Sequence, residues 1–254
     1  MNRTVWRLLL VCLGVVLALG VVGVARLADE PCGPLSRTAC VRVLFLGNSY
    51  TYVNDLPTVF RDLARAGGRN VETGMVANGG ETLAQHAASS DSLGAIRGSP
   101  WQFVVLQEQS EIPALASAWQ TQMFPAAETL VATIRSVAAT PVLLETWAHR
   151  DGLPDQGLDY AAMQAAITQG YRSLGATLGV AVAPAGEAWQ SVLQANPTIA
   201  LWQADGSHPS PAGTYLAACV LYDRIFDASP VGISDAGGLS SDVAHALQVA
   251  AGSP

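Results

Sequence analysis

Hydrophobic positions along the chain fall into two alternating forms. Short continuous apolar runs bounded by turn residues occupy 41–46, 71–76, 103–106, 141–144 and 179–183. Runs of this length, rich in Val, Leu and Phe, predict strands buried on both faces. Between them the apolar positions take helical spacing, predicting helices over 56–66, 119–138, 159–178 and 185–194. Two more are predicted over 211–226 and 241–250, and a short helical segment after Thr82. Pro57 and Pro211 sit where a helix tolerates proline, in the first turn, and Gly67-Gly68 stops the first helix. On the 211–226 segment, Leu216, Val220, Leu221 and Ile225 share one face. Strands that alternate with helices predict an α/β fold whose parallel sheet is covered on both sides. No repeat, low-complexity tract or linker interrupts the pattern, so 41–254 reads as one domain.

The amino end follows a different pattern. Arg3 and Arg7 precede an apolar run over 8–25, the layout of a positive n-region and an h-region. Gly23-Val24-Ala25 offers small residues for cleavage after Ala25. The run is also about 18 residues long, the lower limit for spanning a bilayer. Residues 1–28 are therefore expected to be a signal peptide or an uncleaved signal anchor, the latter attaching the chain to the membrane. Both place the domain outside the cytoplasm, secreted or anchored. Cys12 is not read as a lipoprotein cysteine, because Val11 stands where a small residue is required. The connector 29–40 carries Cys32 and Cys40 around Gly33-Pro34, a pair suited to a small disulfide loop in an oxidising compartment. Cys219 lies in an apolar helical pattern and reads as a buried small hydrophobe.

Composition then removes several function classes. Of 254 residues half are hydrophobic, the net charge is −7, and no lysine is present. An acidic chain without a basic patch is not a nucleic-acid binder. Schiff-base and P-loop chemistry need a lysine and are excluded. Cys/His spacing suggests no zinc site, and no metal or organic cofactor is implied.

Four segments carry candidate chemistry, and three of them, 47–49, 79–80 and 107–110, follow predicted strands. Gly47-Asn48-Ser49 alone reads as a helix cap as readily as a nucleophile turn, because Asn and Ser commonly cap helices. A serine needs an adjacent base to act as a nucleophile. The segment 205–210 supplies Asp205 and His208 across a tight turn, an arrangement in which a carboxylate orients an imidazole. His86, His149 and His245 lack such a partner and read as ordinary surface or structural histidines. Gly79-Gly80 lets the backbone approach a ligand closely, and 107–110 (Gln-Glu-Gln-Ser) offers side-chain amides. Together they would supply donors for an oxyanion. Among the aromatics, Tyr50, Tyr52, Trp147 and Trp202 lie on predicted loops or strand ends and suit stacking on a sugar ring. Glu145 and Trp147, after the fourth strand, are expected to face the cleft. Trp101 and Trp119 read as packing residues.

Taken in order, these segments resemble the SGNH (GDSL-like) hydrolase superfamily. Residues 45–49 resemble its first block, usually Gly-Asp-Ser, with Asn48 in place of the aspartate. Residues 78–82 are similar to the second block, which implies Gly80 as a backbone oxyanion donor. Residues 205–210 resemble the fifth block and imply Asp205 and His208 as partners of Ser49 in a triad. The third block departs from its usual Gly-x-Asn-Asp. Register makes Gln109 the counterpart of the asparagine, with Gln107 the competing choice. The resemblance spans about 41–226 and implies a flavodoxin-like three-layer α/β/α fold with a mainly parallel five-stranded sheet. It implies a serine esterase, here acting on a small ester or acylated carbohydrate, with Ser49, Gly80 and Gln109 forming the oxyanion hole. Asn48, Tyr50 and Trp147 are expected to contact substrate. Two alternatives use the same residues: an O-acyltransferase acting on a polysaccharide, and a catalytically silent glycan-binding module.

Overall fold

Five strands pair in parallel in the order β2-β1-β3-β4-β5: β1 (Cys40–Gly47), β2 (Asn70–Ala77), β3 (Phe103–Leu106), β4 (Thr140–Glu145) and β5 (Ala181–Pro184). The structure, a computed structural model, describes Cys32 and residues 39–252. The expected signal segment 1–28 and most of the connector lie outside the described residues. Among those described, no helix is long and apolar enough to cross a membrane. A disulfide joins Cys32 to Cys40 at the start of β1, with their Cα atoms 4.9 Å apart.

The apolar runs form strands because helices cover both faces of the sheet. Val43 and Phe45 of β1 face one core with Val105, Val142 and Leu144, while Leu44 and Leu46 face the other with Val104, Leu106 and Leu143. The first core is closed by α2 (Leu56–Ala66), α7 (Ala185–Ala195), α8 (Pro211–Phe226) and α9 (Ser241–Ala251). The second is closed by α3 (Leu83–Ala88), α4 (Ser90–Gly98), α5 (Phe124–Ser136) and α6 (Tyr160–Leu178). Each fully buried Leu, Val or Phe contributes roughly 1.5–3 kcal/mol, so these two layers dominate stability. A strand apolar on both faces gains little register information from its hydrophobic pattern. Gly47 fixes the end of β1, since a Cβ there would collide with the side chains of Thr51 and Gln107.

Two elements differ from the sequence expectation. A one-turn helix, α1 (Ser49–Tyr52), follows β1 directly. The helix expected over 119–138 is interrupted: a three-residue turn (Ala116–Ala118) and a π-helical turn (Trp119–Met123) precede α5. Pro125 explains the break, because it has no N–H to donate and its ring clashes with the carbonyl one turn back.

Candidate active site

Strand order reverses between β1 and β3, with the chain passing to β2 on one side and β4 on the other. In such sheets the carboxyl ends of the two central strands open a crevice. Ser49 follows β1 and Gln109 follows β3 by three residues, so both reach this crevice. It is a cleft of about 350 Å³.

Ser49 is held by the residues beneath it. Asn48 caps α1, its Oδ1 accepting from the Tyr50 N–H at 3.1 Å. Gln107 Oε1 accepts from the Asn48 N–H (3.0 Å) and the Thr51 hydroxyl (2.8 Å), and its Nε2 donates to Asn48 Oδ1 (3.0 Å). The buried His86 ring bonds the Gly47 carbonyl through Nε2 (2.9 Å) and Ser92 through Nδ1 (2.8 Å). Ser49 is the first residue of α1, so its own N–H has no partner within the helix.

The loop from Gln203 to His208 closes on itself. The Gln203 N–H donates to the His208 carbonyl and the Gly206 N–H to the Gln203 carbonyl. Gly206, at φ +73, takes the left-handed turn this requires. The geometry aligns Ser49 Oγ, 2.9 Å from His208 Nε2, with Asp205 Oδ2, 2.6 Å from His208 Nδ1. Asp205 Oδ1 accepts from the N–H groups of Ser207 (2.9 Å) and His208 (3.0 Å). The Ser207 N–H leads these interactions in holding the Asp205 carboxyl below the usual carboxylate range.

An aromatic column supports the loop from inside. Trp189 stacks on Trp147 at 4.1 Å, Trp147 on Tyr50 at 4.7 Å, and Tyr50 meets the His208 ring edge-on at 5.8 Å. Trp147 Nε1 donates to the Ser207 carbonyl at 3.1 Å, and the Tyr50 hydroxyl bonds Ser207 Oγ at 2.7 Å. Burial pushes the Tyr50 phenol up to about 12, so it stays neutral.

Gly79 and Gly80 line the same cleft, with Gly80 at φ +69 in the turn closed by the Glu81 N–H on the Asn78 carbonyl. Gln109 lines the cleft beside them. Its Oε1 accepts from the N–H groups of Glu111 (2.8 Å) and Ile112 (3.2 Å), which fixes the amide orientation. Its Nε2 is left with a long contact to Ser110 Oγ at 3.5 Å. Gln107 is buried, and both ends of its amide are used beneath Asn48. Ser110 Oγ in turn meets His149 Nε2 at 3.1 Å, and burial lowers the His149 pKa.

Several expectations are corrected here. Trp147 does not present a face for stacking, because both of its faces are covered by Tyr50 and Trp189. Asn48 lines the cleft, with its side chain bonded to its own turn and to the Glu81 carbonyl. Glu145 does not face the cleft; it is buried against α6, accepting from Thr168 and Gln164, and burial pushes it up to about 8. Trp202 donates to the Ala148 carbonyl and packs edge-on to Tyr160. Tyr50 and Tyr52 do line the cleft, and Tyr52 is 40% exposed. The sequence reading missed Glu108, whose fully buried carboxyl lies directly behind Gln109. An acidic residue embedded between strand-end amides was the available signal.

Comparison with solved structures finds this fold repeatedly. A protein from Slackia heliotrinireducens classed with the SGNH hydrolases is 30% identical, with a TM-score of 0.64, covering 74% of this chain and all (100%) of its own. A DUF4886 family protein from Bacteroides uniformis superposes with a TM-score of 0.73 at 18% identity, covering 84% of this chain and 93% of its own. A lipase/acylhydrolase from Enterococcus faecalis gives a TM-score of 0.57 at 16% identity, covering 73% and 95%. No protein-family model and no curated protein matches. The second and third likenesses speak for the fold; the first, at 30% identity over the whole of the relative, carries more. The chain belongs to the SGNH hydrolases.

Proposed function

We propose that the protein is a serine ester hydrolase in which Ser49, His208 and Asp205 act as a triad. The observation that carries this reading is the continuous hydrogen-bonded line from Ser49 Oγ through both His208 nitrogens to Asp205 Oδ2. Ser49 Oγ attacks the acyl carbonyl carbon while His208 Nε2 takes its proton. Asp205 keeps the other imidazole nitrogen protonated and stabilises the imidazolium. As the tetrahedral intermediate collapses, His208 passes the proton to the leaving alcohol. Water, activated by the same histidine, then releases the acid and restores Ser49.

The oxyanion is met by the N–H groups of Ser49 and Gly80 and by Gln109 Nε2. The pinned Gln109 Oε1 leaves its NH₂ as the end available to the cleft. Each such donor contributes about 10²–10³ in rate.

A short acyl group on a carbohydrate suits the cleft. Its walls come from Asn48, Ser49, Tyr50, Tyr52, the glycine pair, Gln109, Ser110, Ser207 and His208, with no aliphatic side chain among them. A long acyl chain would find no apolar surface to cover it. Of the four aromatics expected near the site, Tyr52 keeps an exposed ring at the lip. The amino-terminal pattern supports action outside the cytoplasm.

A fluorophosphonate probe tests the nucleophile: labelling is expected on wild type and absent from Ser49→Ala. Absence of labelling on folded wild type would instead mark a silent glycan-binding module. A panel of acetyl to decanoyl esters tests the acyl preference, with activity expected to fall steeply beyond butyryl. A rise toward decanoyl would reject the short-acyl reading.

A further inference from the structure

Glu108, within the Gln-Glu-Gln-Ser segment, takes no part in the proposed reaction. Its side chain is fully buried at the end of β3. Oε1 accepts two backbone hydrogen bonds, from the Leu83 N–H at 3.0 Å and the Gln109 N–H at 2.7 Å. Leu83 opens α3 three residues after Gly80, and Gln109 lines the same cleft as Ser49. A single carboxyl oxygen therefore links the first residue of α3, just past the turn that bears one proposed oxyanion donor, to the residue that bears another. The Glu108 N–H is itself fixed to the Tyr171 hydroxyl of α6 at 3.1 Å.

As a stabilising element this carboxyl is a poor choice. Oε2 has no hydrogen-bond partner, and burial pushes the group up to about 7. An apolar side chain of the same length would remove the orphaned oxygen but would leave the Leu83 and Gln109 N–H groups without their acceptor. What the carboxyl adds is an acceptor at a fixed reach. Oxyanion donors act only when held within about 0.5 Å of the productive geometry.

We propose that Glu108 is a positioning residue that locks the Gly80 turn and Gln109 into register as the two walls of the oxyanion hole. This rests on Ser49 being the nucleophile. Glu108 touches no substrate; it acts through the two segments it joins.

Three substitutions separate this role from simple packing, each assayed on p-nitrophenyl acetate with its melting temperature. Glu108→Gln keeps an acceptor at the same reach, and kcat is expected within about threefold of wild type. Glu108→Met keeps the length without an acceptor, and Glu108→Asp retracts the acceptor by one methylene. Both are expected to lower kcat by about tenfold or more, the order of a misplaced oxyanion donor, with KM within about threefold. Wild-type kcat in a folded Met or Asp variant would overturn the proposal. So would a Gln variant as impaired as Met, or loss of folding by both Met and Asp, which would make the role structural. Wild-type enzyme that neither turns over esters nor takes a fluorophosphonate label would instead overturn the Ser49 reading itself.

Discussion

At the scale of residues, two glutamines two positions apart have opposite fates. Gln107 and Gln109 carry the same amide, and in the sequence only register favours Gln109 as the candidate oxyanion donor. The choice depends on which backbone N–H groups lie nearby in the folded chain. Glu111 and Ile112 pin the Gln109 oxygen, whereas the Gln107 amide is consumed beneath the nucleophile turn. Gln109→Leu is accordingly expected to lower kcat about 10²-fold with little change in KM or melting temperature. Gln107→Leu removes buried hydrogen bonds to Asn48 and Thr51 and is expected to cost about 1–3 kcal/mol of stability. Denaturant titration beside steady-state kinetics distinguishes the two, and the reverse pattern would exchange their roles. The candidate triad Ser49, Asp205 and His208 is legible in the sequence because the local order of residues carries its pattern. The commitments of Asn48 and Trp147 were not, since their partners lie 59 and 60 positions away for the Gln107 and Ser207 contacts.

At the scale of elements, the predicted strands recur within two residues at their ends, because both-face burial gives an unambiguous apolar run. The helix expected over 119–138 was read through Pro125, and the chain instead widens into a π-helical turn there. The aromatic column was invisible for a related reason: Tyr50, Trp147 and Trp189 come from three elements and meet only in the fold. Its consequence is testable. Trp147→Phe keeps a ring in the stack but removes the Nε1 bond to the Ser207 carbonyl. The expected cost is about 1–3 kcal/mol, together with a several-fold fall in kcat as the His208 loop loosens. A variant that loses stability while keeping full kcat would show that the column supports the core and not the loop.

At the scale of the whole molecule, two buried carboxyls make stability depend on pH. Burial raises Glu108 to about 7 and Glu145 to about 8, both from an ordinary value near 4.5. An acid whose pKa is raised by folding binds its proton more tightly in the native state. Its contribution is fully present below about 4.5 and is lost as pH rises through the folded value. The melting temperature is therefore expected to fall between pH 5 and pH 8.5. Glu145→Gln, neutral throughout, is expected to narrow that fall by about 3 °C or more, read by calorimetry. Parallel curves for the two proteins would remove Glu145 from the explanation. The same parallel sheet that encloses these carboxyls sets Ser49 and Gln109 at its central crevice, and the loop bearing His208 closes over them. The claim that Ser49 does the chemistry is tested most directly by turnover of p-nitrophenyl acetate, wild type beside Ser49→Ala. The account predicts turnover by wild type and a loss of about 10³-fold or more in the variant, with the melting temperature unchanged. A folded Ser49→Ala protein that hydrolyses the ester at the wild-type rate would contradict it.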